Sequence, residues 1–109
     1  MKFSIITPEH SPENLPFLLE LYDSLKEQTY TDWEWILYIN NKFTYSHVPQ
    51  QIQADSRVKV YQSQDDNTNV GALKNRAFNL GTGDILVELD HDDLLTPDCL
   101  QELVYAYQD

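Results

Sequence analysis

The chain has 109 residues, of which 18 are Asp or Glu and 7 are Lys or Arg, so its formal net charge is -11. This length fits a single domain (1–109), and apolar and aromatic contents of 41% and 12% favour a folded chain over a disordered one. The negative charge argues against direct nucleic-acid binding, and no apolar run approaches the roughly 20 residues of a membrane span. The single cysteine excludes an internal disulfide, so we expect a cytoplasmic location, with membrane association through further segments left open.

The first half of the sequence predicts strands that alternate with one helix. Residues 3–7 form a short β-rich run that Pro8 ends. Apolar residues at helical spacing predict a helix from about Pro12 to Gln28. The aromatic and β-branched run 33–39 predicts a second strand, and the alternating run 57–61 predicts a third.

The second half continues this alternation. Residues 42–55 are polar and predict a loop with one helical turn, whereas 70–80 predict a helix that a glycine ends. Residues 85–89 give the strongest strand signal, and Thr96-Pro97 opens a last helix. Because strands separated by helices require crossovers, we predict an α/β, Rossmann-like three-layer sandwich with a mainly parallel sheet. Ligands bind such sheets at the carboxyl ends of the strands.

Acidic residues dominate the last third of the sequence. No Lys or Arg follows Arg76, and Asp90-His91-Asp92-Asp93 gathers three carboxylates directly after the strongest predicted strand. Carboxylates this close repel one another unless solvent or a cation separates them. The cluster is therefore either a solvated acidic loop or a cation site.

The pair Asp90 and Asp92 is the sharpest candidate site in the sequence. Two carboxylates separated by one residue at a strand end leave the pleat and can face the same pocket. Such hard oxygen ligands suit Mg²⁺ or Mn²⁺, which keep coordination positions open for water and substrate phosphates. A D-x-D alone occurs by chance, but its place between a strand and a helix makes the motif more specific.

Four blocks of the sequence together resemble the inverting family 2 glycosyltransferases of the GT-A fold. They cover almost the whole chain in the family's order: Ser4-Ile5-Ile6-Thr7-Pro8, then Ser24-Leu25-x-x-Gln28-Thr29-Tyr30-x-Asp32-Trp33-Glu34-Trp35, then Gly83 to Asp93, then Thr96-Pro97-Asp98. The resemblance implies the N-terminal, donor-binding half of such a domain. It would bind a nucleoside-diphosphate sugar, and a UDP-sugar is the donor expected first. The diphosphate would be held through Mn²⁺ or Mg²⁺ on the D-x-D. The acceptor, whether saccharide, lipid or protein, stays open.

The resemblance also implies roles for single residues outside the acidic cluster. Pro8 and His10 fall on the loop that holds the nucleobase, and Asn40 matches a position where the family commonly has an aspartate that accepts the uracil N3–H. Because asparagine accepts that bond less strongly than a carboxylate, the identity of the base stays open. Asn69 falls on the loop beside base and ribose, or else caps the following helix. Lys74 would reach the donor or anchor the acidic loop.

Within the acidic cluster, the resemblance assigns the donor and the metal to neighbouring residues. Asp90 would contact the ribose or sugar and share the metal with Asp92, and His91 would lie in the donor-binding loop. Asp93 would support the site or favour the start of the last helix.

An inverting transferase also needs a general base that deprotonates the acceptor hydroxyl. No acid in this sequence matches that role, so the chain is expected to be a donor-binding half, through truncation, splitting or degeneration. A non-catalytic nucleotide-sugar-binding or interaction module therefore stays open.

Other protein classes with acidic motifs at strand ends fit less well. A haloacid-dehalogenase-type phosphatase carries its D-x-D after the first strand, whereas three predicted strands precede Asp90 here. A receiver domain needs an acid pair after the first strand, where only Glu9 stands. An EF-hand fails because Leu94 and Leu95 occupy a ligand position and the glycine position.

Overall fold

A computed structural model describes residues 1–9, 12–39, 44–62, 77–90 and 93–108. The strands are β1 (Phe3–Glu9), β2 (Trp33–Ile39), β3 (Val58–Gln62) and β4 (Ile85–Glu88). The helices are α1 (Leu15–Lys26), α2 (Gln50–Gln53) and α3 (Cys99–Gln108), with 3₁₀ turns at Pro12–Asn14 and Tyr45–His47. Residues 77–79 are also helical.

All four strands lie parallel in one sheet of order β3-β2-β1-β4. The chain moves outward from β1 through β2 to β3, then returns across the sheet and places β4 on the other side of β1. The strand order therefore reverses between β1 and β4, and a crevice opens at such a switch point beside the carboxyl ends of the strands. The predicted Rossmann-like α/β fold with a parallel sheet is confirmed.

The two faces of the sheet pack against different parts of the chain. On one face, the main core joins the sheet to α1 and α3 through buried side chains that include Phe3, Ile5, Leu18, Leu21, Leu25, Trp35, Leu37, Ile39, Leu100 and Val104. On the other face, a smaller cluster contains Ile6, Ile36, Tyr38 and Ala77. Full burial of one large aliphatic side chain contributes about 1.5–3 kcal/mol, so the main core carries most of the hydrophobic stabilisation.

The first strand continues through Pro8 to Glu9, two residues beyond its predicted end. The carbonyl of Ile6 points toward β4, because it accepts a hydrogen bond from the backbone N–H of Leu89 at 3.0 Å. Pro8 lies two residues later, so its backbone nitrogen faces the same side of β1. It lies beyond the last β1–β4 pair, which is Ile6 with Glu88. The N–H that proline lacks therefore falls where β4 has already ended, and the strand tolerates it.

The other predicted elements agree with the structure except at their ends. The second strand, 33–39, is confirmed, and the helical turn expected within 42–55 corresponds to α2. The first helix begins at Leu15 because Pro16 occupies its first turn, where a missing N–H costs nothing. Of the helix predicted over 70–80, only residues 77–80 lie within the described part of the chain.

Candidate functional site

The switch point of the sheet brings the ends of β1 and β4 together. Pro8 and Glu9 end β1, and Leu89 and Asp90 follow β4 directly. The hydrogen bond from Leu89 N to Ile6 O fixes this segment against β1 one residue before Asp90. Leu89 is buried whereas Asp90 is exposed, so the acid leaves the sheet toward solvent at the crevice where parallel sheets bind ligands.

Only part of the predicted site falls within the described residues. The structure places Pro8, half-buried, and Asp90, exposed, at the same edge of two adjacent strands. The remaining predicted site residues lie outside the described residues: His10, Asn40, Asn69, Lys74, His91 and Asp92. Their roles stay predictions.

Two hydrogen bonds join Asp90 and Asp93, the described residues of the acidic cluster. The Oδ2 atom of Asp93 accepts a hydrogen bond from Asp90 N at 2.9 Å, and Asp93 N donates to Asp90 O at 3.0 Å. These two bonds pair the backbone of Asp90 directly with Asp93. Asp93 therefore has a structural role, since its carboxylate accepts the backbone N–H of Asp90, the first residue of the D-x-D motif.

A second anchor holds the chain beyond Asp93. Gln28, just past the end of α1, donates from Nε2 to Thr96 O at 2.7 Å and accepts at Oε1 from Leu100 N at 3.1 Å. The adjacent backbone N–H of Thr29 donates to Pro97 O at 2.8 Å. Two of the sequence blocks, the one with Gln28-Thr29 and the one with Thr96-Pro97, are thus in direct contact. Gln28 was not predicted as a site residue, although its place in a matching block was a signal.

A buried carboxylate at the opposite, amino end of the sheet organises the entry to β4. Glu34 is 2% exposed and accepts hydrogen bonds from Ser4 Oγ at 2.5 Å, Lys59 Nζ at 2.8 Å and both N and Oγ1 of Thr82 at 2.6 and 2.9 Å. Lys2 Nζ lies 3.6 Å from the same side chain. These contacts join β1, β2 and β3 to the turn that precedes β4.

Gly83 completes this anchor because its backbone passes very close to β1. Its N–H donates to Ser4 Oγ at 2.7 Å. A Cβ atom at this position would lie 2.7 Å from Lys2 O and 2.8 Å from Ser4 N, which is closer than real Cβ atoms approach. Only glycine therefore lets the turn reach Ser4 and Glu34, and β4 starts at a fixed position beside β1.

The Glu34 contacts predict an acid-dependent loss of stability. Burial alone would raise the pKa of Glu34, but the hydrogen bonds from Lys59, Ser4 and Thr82 outweigh burial and lower the pKa from 4.5 to about 2. A group whose pKa is depressed in the folded state stabilises the fold above its unfolded pKa. We expect this contribution, at most about 3 kcal/mol, to be lost as the pH falls from 4.5 toward 2.

Urea unfolding of the wild type and of Glu34→Gln between pH 7 and pH 2 measures this loss. The other acidic residues titrate in both proteins, so the difference between the two curves isolates Glu34. The difference should be largest at neutral pH and shrink at low pH. A pH-independent difference would contradict the assignment.

The parallel sheet and the exposed acid at its switch point define a Rossmann-like α/β protein. The profile of Glycosyl transferase family 2 matches residues 4–109, and the chain belongs to this family. It is 30% identical over 108 residues to the O-antigen biosynthesis protein RfbC of Myxococcus xanthus, covering 95% of this chain and 8% of that protein. It is 27% identical over 109 residues to the glucosyl-dolichyl phosphate glucuronosyltransferase of Haloferax volcanii, covering 99% of this chain and 34% of that protein.

Solved structures share the fold. The crystal structure of S. aureus TarS 1-349 in complex with UDP superposes with a TM-score of 0.83 at 22% identity, covering 99% of this chain and 32% of that one. The complex of the same protein with UDP-GlcNAc gives a TM-score of 0.84, also at 22% identity, covering 99% of this chain and 31% of that one. The chain thus spans about a third or less of the length of these proteins. Among the described residues, no helix is both long and apolar enough to cross a membrane.

Proposed function

We propose that this chain is the donor-binding part of a glycosyltransferase that transfers a sugar from a nucleoside-diphosphate sugar to an acceptor. The observation that carries the proposal is the exposed Asp90 at the switch point between β1 and β4. Family membership supports the reaction class. The two TarS complexes, with UDP and with UDP-GlcNAc, make a UDP-sugar the first donor to test.

We also propose that Mn²⁺ or Mg²⁺ joins the donor to the acidic cluster. The carboxylate of Asp90 is exposed and is the hard oxygen ligand that these ions prefer. Asp92 would be the second ligand, because the Asp93 carboxylate already accepts the bond from Asp90 N. Among the described residues no three candidate ligands come together, so the substrate diphosphate would supply further oxygens. A bound cation would offset the charge of the diphosphate and of the leaving nucleotide.

Charge gives an independent reason to expect metal dependence. The chain carries a net charge of -11, and the proposed donor is itself an anion. Asp90 and Asp93 would repel a diphosphate placed beside them, because like charges at short range destabilise each other. A cation between the two groups would offset this repulsion and favour binding of the donor at this edge.

The chain's own residues would position the other parts of the donor. Pro8, at the end of β1, together with His10 and Asn40, would contact the nucleobase, and Asn69 would lie beside base and ribose. Lys74 and His91 would lie near the diphosphate or sugar. No residue of this chain is assigned as the catalytic base, so the activity proposed for the chain itself is donor binding.

Isothermal titration with UDP-, GDP- and dTDP-sugars, each with Mn²⁺ and with EDTA, tests the proposal. We expect a UDP-sugar to bind with Mn²⁺ and to bind at least about tenfold more weakly in EDTA, a difference of roughly 1.4 kcal/mol. Equal binding in EDTA would contradict the metal assignment, and no binding of any donor would contradict the proposed function. Binding without hydrolysis or transfer is the result expected of this chain alone, because no residue of it is assigned as the catalytic base.

A further inference from the structure

The amide side chain of Gln28 is buried and fully engaged between two elements. Gln28 is 4% exposed. Its Nε2 donates both to Thr96 O at 2.7 Å and to Ser24 O, within α1, at 3.1 Å, while its Oε1 accepts from Leu100 N at 3.1 Å. A primary amide offers two donors and one carbonyl oxygen, and all three are used. The side chain therefore couples the end of α1 to the start of α3.

The segment that Gln28 holds is one end of the acidic loop, residues 89–96. The other end is fixed to β1 by the bond from Leu89 N to Ile6 O. Among the described residues between these ends, Asp90 and Asp93 are hydrogen-bonded to each other. Leu94 is 60% exposed. Of the described residues in the loop interior, Leu95 alone packs against the main core. The described residues of the loop interior thus pack little, and we infer that their position depends on the two ends.

We propose that Gln28 is a positioning residue of the donor site, which sets the place of the acidic loop and thereby the affinity for the metal-bound donor. This inference rests on the proposed function. Gln28 is too deeply buried to contact a ligand itself and acts through Thr96 and Leu100. Residues that orient metal ligands without touching the metal commonly change metal affinity by about 10–100-fold when they are replaced.

The decisive variant is Gln28→Met, which keeps the length of the side chain and removes its three hydrogen bonds. Ile52→Val is the matched control for a general loss of stability. Ile52 is fully buried in α2, which packs beside β3, at the far edge of the sheet from β4. Should Gln28→Met fail to fold, Gln28→Glu retains an acceptor for Leu100 N and loses the two donated bonds.

Two measurements are made on the 109-residue chain, well below the melting temperature of every variant. The first is amide hydrogen exchange by NMR without ligand, read at Asp93 and Leu100. The second is the affinity for UDP with Mn²⁺ by titration calorimetry. In Gln28→Met we expect both amides to exchange at least about tenfold faster and the UDP–Mn²⁺ affinity to fall by about tenfold or more. Ile52→Val should lower the melting temperature and leave both readouts unchanged.

The outcomes separate this inference from the proposed function. If the wild type binds UDP with Mn²⁺ and Gln28→Met binds equally well, Gln28 has a purely structural role and the inference is wrong. If Ile52→Val weakens binding as much as Gln28→Met, the effect is general destabilisation, and the inference is again wrong. If the wild type binds no nucleotide, the proposed function fails. The exchange rate at Asp93 then decides alone whether Gln28 positions the loop, and an unchanged rate overturns that claim.

Discussion

Glu34→Ala is expected to destabilise the protein by about 3 kcal/mol. The substitution removes the acceptor of four hydrogen bonds, and it leaves the buried Ser4 Oγ and the part-buried Thr82 N without their acceptor. The side chain of Lys59 is 41% exposed and can turn to water, so the loss stays below that of a fully buried ion pair. The free energy of unfolding in urea at pH 7 measures the effect.

Glu20→Ala is the matched control for this experiment. Glu20 is an exposed residue of α1, and removal of its side chain takes away the same charge from the same highly acidic protein. Its replacement should change the free energy of unfolding by no more than about 0.5 kcal/mol. If the two variants lose the same stability, the Glu34 contacts do not hold the amino end of the sheet.

Asp92→Asn is expected to weaken metal-dependent donor binding by at least about tenfold, or roughly 1.4 kcal/mol. The proposed cation would lose a charged ligand, and the diphosphate would lose its link to the acidic loop. The stability of the metal-free protein should stay level or rise, because one of three neighbouring negative charges is gone. Calorimetric titration of a UDP-sugar with Mn²⁺, together with melting curves with and without Mn²⁺, measures both effects.

Asp93→Asn provides the control, since it removes an identical charge one residue away. Its remaining carbonyl oxygen can still accept the bond from Asp90 N, so the pairing of the two residues should survive. This variant should bind the donor more tightly than Asp92→Asn does. Equal losses in the two variants would indicate that charge alone matters, and unfolding of Asp92→Asn would mean that this carboxylate supports the structure instead.

The sequence predicted those parts of the fold that depend on local patterns. The run 33–39 was identified over its full length because aromatic and β-branched residues occupy both faces of a buried central strand. The end of β1 was placed too early because Pro8 was treated as a breaker, whereas the start of α1 was placed too early because Pro16 was accepted in the interior of the predicted helix. Pro8 is tolerated because of the direction of its missing N–H, and Pro16 because of its place in the first turn, and neither can be read from composition.

The candidate site was predictable only in outline. Asp90 follows the strongest strand signal, and the structure puts it at the predicted edge of the sheet, exposed. The anchors of the site were not foreseen, because Glu34 meets Thr82 and Gln28 meets Thr96 across 48 and 68 positions of the sequence. Hydrophobic periodicity carries no information about such polar pairs. The roles of the predicted residues toward a ligand stay predictions.

Because β4 is short, the register of its residues against β1 is as important as their identity. Along 85–90, half-buried and buried residues alternate with exposed ones, so Ile85, Val87 and Leu89 face the core while Asp90 faces solvent. A shift of one position relative to β1 would exchange the two sets. The contacts of Gly83 at the amino end prevent that shift, although they lie a full strand length from the acid. Deletion of one residue within 85–88 would therefore turn Asp90 inward with the composition of the acidic loop unchanged.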